Sequence, residues 1–191
     1  MKIIKSRIFK ALFILVMISI LLGIISLIII NKTDTKTDLI NYVTLIKNGK
    51  FNYTNALLNT ISSNFIYSFL IWMFGIIFIF GFISCGLIVY KGISLGFMLS
   101  SIIYTFKIKG ALYGLILGAP SIFNIFVYIV LTYYSVNFAI KSFNAFRNNR
   151  MINYKNFFIN YVYIYLILFF VLVLSSFFET YITSNLLKFV V

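Results

Sequence analysis

The chain has 191 residues, of which 62% are hydrophobic and 10% charged, and its formal net charge is +13. A water-soluble domain carries about 25% charged residues, so most of this surface must meet lipid and an ordinary soluble fold is excluded. The sixteen Lys and Arg are scattered over the loops. They collect into no stripe of the kind that binds nucleic acid, and read instead as topology signals and contacts with anionic lipid.

Uncharged runs extend over Ala11–Asn31, Phe51–Tyr90, Gly92–Phe106, Gly110–Ile140 and Asn156–Phe178. A crossing needs about 20 apolar residues, and none of these runs alternates as a barrel strand would. The expected fold is all-α: a polytopic membrane bundle of five transmembrane helices, one of them broken at Gly118–Pro120.

In chain order, the basic MKIIKSRIFK precedes a first span over Ala11–Ile30, with no cleavage signature after it. The segment Asn31–Asn64 holds Asp34 and Asp38, and its part FNYTNALLNTISSN predicts a short amphipathic helix on the membrane surface. A second span over Phe65–Tyr90 ends at Lys91, read as a snorkelling anchor. Between Lys91 and Lys107 only fifteen residues, GISLGFMLSSIIYTF, remain for a short crossing or a re-entrant element. The run 110–140 holds a further crossing. A basic loop at 141–156 follows, then a span over Phe157–Phe178 and the tail ETYITSNLLKFVV.

Lys2, Lys5, Arg7, Lys10, Lys91, Lys141, Arg147, Arg150 and Lys155 fall on the side of the N-terminus, nine against seven opposite. An excess of Lys and Arg marks the cytoplasmic side, so the expected orientation is N-terminus in and C-terminus out.

Catalytic chemistry finds few residues to use. There is no histidine, no carboxylate pair lies inside a span, and Cys85 is the lone cysteine. Acid–base catalysis, metal ligation and a Cys–His nucleophile all need groups this chain lacks. A protein without enzymatic activity, cofactor or metal is expected.

The glycines are more specific. Gly92 and Gly96 form one pair at four-residue spacing, and Gly110, Gly114 and Gly118 form a series that leads to Pro120, the only proline. Such spacing opens a groove on one helix face where another backbone settles. Packing within the bundle is the expectation, with a homo-oligomer seam as the alternative. Pro120 lacks an N–H and clashes with the preceding turn, so GAPS reads as a helix break, with Ser121 placed to satisfy a freed backbone group. Glu179, the one acid outside the first loop, is expected to pair with Lys107 or Lys109, or else to be solvated.

Several stretches together resemble the stage II sporulation protein M family. They are the basic N-terminus with its first span, LINYVTLIKNGKF, FLIWMFG, KGISLGF, the GAP break and FFETY, and they cover nearly the whole chain. The resemblance implies a membrane scaffold that recruits sporulation proteins D and P, which remodel septal peptidoglycan for forespore engulfment. It also implies a multi-pass location in the cell membrane, at the sporulation septum or mother-cell membrane. The alternative is a small permease-like transporter subunit that uses the broken helix at Pro120.

Overall fold

In lipid an unpaired backbone group has no water to turn to, so apolar runs of this length satisfy themselves as helices. The computed structural model describes residues 6–29, 32–49, 51–77, 81–147 and 154–190, and among these there is no strand. The helices are α1 (Arg7–Ile29), α2 (Lys32–Lys47), α3 (Tyr53–Ile76), α4 (Ile83–Arg147), α5 (Tyr154–Phe177) and α6 (Thr183–Val190), with a π turn, Phe178–Ile182, joining the last two. α1, α3, α4 and the rod formed by α5 and α6 are each long and apolar enough to cross a membrane.

α4 is two crossings in one element. Lys107 has φ 52 and ψ −123, outside the helical region, and the chain doubles back there. Leu99 of the first arm (83–106) consequently meets Gly118 of the second (108–147), a contact that a straight helix forbids at 1.5 Å per residue. The Phe106 and Tyr113 rings close the hairpin edge to face, 5.0 Å apart.

Glycines set how closely these helices approach. At Gly96 an added Cβ would lie 2.9 Å from the Ile20 carbonyl carbon and 3.2 Å from the Gly23 Cα; at Gly23 it would lie 2.9 Å from the Phe97 nitrogen. These are backbone atoms, so α1 and the first arm of α4 touch main chain to main chain. At Gly110 the obstacle is again backbone, with the Ile102 oxygen at 2.6 Å. At Gly118 it is the flexible end of Leu99, at 2.7 Å, and at Gly114 the same methyl is a comfortable 3.9 Å away. At Gly92 the neighbour is the Ser19 side chain, so the tightness of approach differs from glycine to glycine.

Several expected boundaries shift. The chain does not break at Pro120, which sits inside α4. The bond lost from position 120 to the Ile116 carbonyl is tolerated, as proline often is in membrane helices; one residue on, the Ser121 hydroxyl donates to the Leu117 carbonyl at 3.4 Å. The reversal falls at Lys107 instead. The stretch 53–64 is no separate surface helix but the first half of α3, started by Asn52, whose side chain accepts from the Asn55 N–H at 3.2 Å. α3 ends at Ile76, where Ile77 is extended, so Lys91 no longer terminates the second span. It stands inside the third, which gains the residues from Ile83 and is a full crossing. Of the basic loop expected at 141–156, residues 141–147 continue α4 and 148–153 lie outside the described residues.

Three outcomes test this packing. Gly96→Ala should destabilise the protein by about 1–3 kcal/mol, the usual cost of overpacking, as read by thermal unfolding in detergent. Gly86→Ala, where nothing lies within 4 Å, should be neutral or mildly stabilising. Lys107 occupies the first central position of a type II′ geometry that favours glycine, so Lys107→Gly should raise stability by about 1 kcal/mol.

Candidate functional site

Four segments that carry polar residues in an otherwise apolar bundle meet around one open cavity of about 310 Å³. The first turns of α3 bring Asn59, Thr60, Ser63 and Asn64. The first arm of α4 brings Lys91 and Ser94, and the second brings Ser121, Asn124 and Tyr128. Glu179 completes the lining from the π turn. The extra residue of a π turn shifts the register of the following side chains: Glu179 faces inward while its neighbours Phe178 and Ile182 remain 58% and 45% exposed. Thr183 donates its hydroxyl to the Glu179 carbonyl and Thr180 donates to Ser176 at 2.9 Å, so the irregular backbone is held from within.

The walls are tied by a hydrogen-bond chain. Tyr128 donates to the Asn64 Oδ1 at 2.8 Å, Asn64 Nδ2 donates to Ser176 Oγ at 2.9 Å, and Ser176 donates to the Leu172 carbonyl at 2.9 Å. This links α4, α3 and α5 in one plane and fixes one side of the cavity. On the other, Asn124 Nδ2 donates to Glu179 Oε2 at 3.4 Å. The Asn124 Oδ1 is buried and has no partner. The Lys91 ammonium lies over the Tyr67 ring, 3.8 Å from its centroid, and 5.8 Å from that of Tyr128. It also acts on the Glu179 carboxylate electrostatically. Cation–π contact of this kind helps to hold a partly buried ammonium.

α2 closes one end of the bundle. Ile46 packs with Ile102, Tyr113 and Leu187 in a second small core, flanked by Tyr42 and Phe51. Gly49, with φ +69, ends the helix in the left-handed conformation and returns its N–H to the Ile46 carbonyl at 3.3 Å. Burial raises the pKa of the Tyr42 hydroxyl, with Glu179 adding to that effect, so α2 comes within electrostatic reach of the cavity.

The residues expected from sequence are thus distributed over two places. Gly92, Gly96, Gly110, Gly114 and Gly118 build the helix contacts. Pro120 lines a separate apolar groove of about 700 Å³ with Phe123 and Phe178, on the opposite face of α4 from the polar cavity. Glu179 answers to Lys91 and Asn124; Lys107 and Lys109, the expected partners, stand exposed at the hairpin. Burial of the carboxylate among α3, α4 and the π turn is the physical reason. Sequence reading took Lys91 for an anchor at the end of a span and missed Asn64. A signal existed for the first: Lys91 is the one charge between Lys50 and Lys107, too isolated for an ordinary loop.

A family model described as stage II sporulation protein M matches residues 12–184. The chain belongs to that family. It is accordingly a membrane protein of sporulation, and the match encloses every residue of the polar cavity. No curated protein and no solved structure matches the chain.

Removing the Tyr128 hydroxyl strands the buried Asn64 oxygen. Tyr128→Phe should therefore cost about 1–3 kcal/mol in unfolding measurements, whereas Tyr163→Phe, at a residue 64% exposed, should leave stability unchanged.

Proposed function

We propose that this protein is a non-enzymatic scaffold in the cell membrane that holds peptidoglycan-degrading partners, sporulation proteins D and P, at the sporulation septum for engulfment. The supporting observation is α2. It is too polar to cross a membrane, it is anchored through buried Val43 and Ile46, and it leaves Ile40 and Leu45 exposed beside Lys36, Asp38 and Lys47. Exposed apolar residues among charges, on a helix held to the bundle, suit contact with a partner. Family membership supports the same reading, since it makes this a sporulation membrane protein.

The double variant Ile40→Glu, Leu45→Glu should insert normally yet recover at least tenfold less of both partners on co-purification from sporulating cells. Deleting the gene should arrest sporangia before engulfment under a membrane dye; completed engulfment would sink the proposal.

The polar cavity favours a second reading, a small transporter subunit, because intramembrane charges commonly mark solute or ion paths. Its signature is a solute flux that disappears in a Glu179→Gln protein still present in the membrane.

A further inference from the structure

The cavity presents both signs of charge. Lys91 and Glu179 line the same space, and Asn124, 6% exposed, donates to Glu179. Tyr128 is committed to Asn64, which leaves the Glu179 carboxylate as the charged acceptor the cavity offers to a donor-rich group. An ammonium, with three N–H donors, suits it. Lys91 and Ser94 are three residues apart and share a helix face; they offer a cation and a hydroxyl to an anionic group. A bare metal cation would be repelled by Lys91 and a bare anion by Glu179. A molecule carrying both charges satisfies both. The volume of about 310 Å³ equals roughly ten waters at about 30 Å³ each, enough for such a ligand with its hydration.

We propose that the cavity between α3, both arms of α4 and the π turn binds a zwitterion, with its ammonium on Glu179 and its carboxylate or phosphate on Lys91. Two sources carry this chemistry: a soluble amino acid or phosphoamine, and the headgroup of phosphatidylethanolamine. The proposal rests on neither functional reading above, because its readout is binding to the purified protein.

The test uses the full chain in nanodiscs of phosphatidylglycerol, which lacks an ammonium. Glycine and O-phosphoethanolamine are titrated calorimetrically against two half-ligands, ethanolamine and inorganic phosphate. At least one zwitterion should bind at least tenfold tighter than either half-ligand, a comparison that needs no variant. Glu179→Gln and Lys91→Gln proteins that remain monodisperse should each lose at least tenfold. Native mass spectrometry from vesicles of mixed phosphatidylethanolamine and phosphatidylglycerol separates the sources. Retained phosphatidylethanolamine that is absent from Glu179→Gln identifies the lipid, and soluble binding without retention identifies the free ligand. If neither zwitterion exceeds its halves and no phosphatidylethanolamine is retained, the cavity is a hydrated structural pair and the proposal is wrong.

Discussion

Helices in a hydrocarbon solvent gain nothing by hiding apolar surface from one another, because the solvent is as apolar as they are. What they gain is close contact, and here that contact is between backbones. α1 and the first arm of α4 meet where Gly23 and Gly96 interleave with the main chain of Ile20, Ile93 and Phe97. The two arms of α4 meet where Gly110 lies against the Ile102 carbonyl. If either approach is lost, the first arm moves, and with it Lys91. The polar cavity therefore depends on residues that have no polar group of their own.

The second constraint is that every polar group must find a partner inside the protein. Near the end of α3, the hydroxyls of Ser84 and Ser135 converge on the Ile71 carbonyl at 3.1 and 2.9 Å, and Tyr161 donates to the Trp72 carbonyl at 2.8 Å. Gly75 leaves room for them, since a Cβ there would overlap the Tyr161 hydroxyl and lie 2.5 Å from the Ser135 oxygen. These bonds fasten α3 to α4 and α5 at the end of α3 remote from its Asn52 cap. The chain through Asn64, Tyr128 and Ser176 does the same work nearer the cavity.

Sequence made the solvent and the helical class legible, because both follow from composition and the length of the apolar runs. It misplaced the helix ends for an identifiable reason: charges were treated as span boundaries. That rule fails at Lys91, which is stabilised by aromatic rings contributed from α3 and α4, contacts that no local pattern encodes. It fails again near Asn64, whose amide looks like a surface residue until Tyr128 and Ser176 are brought beside it. Pro120 was read as a breaker from its chemistry alone. The helix absorbs it, and the reversal occurs at Lys107, whose positive φ is imposed by the hairpin packing of Phe106, Tyr113 and Gly110.

Lys91 and Glu179 also bear on why such a bundle keeps a π turn. A regular helix through 178–182 would change the facing of Glu179 relative to Phe178 and Ile182, since each added residue rotates the helix by about 100°. A carboxylate turned to lipid costs several kcal/mol, and a lysine left without it keeps only its ring contacts. The π turn avoids both losses by aiming the acid at Asn124 and Lys91 while its apolar neighbours stay outside. Replacing the pair with apolar residues of similar size is often neutral or stabilising for a purely structural ion pair. Without the acid, the irregular backbone would have no charge to turn toward the cavity.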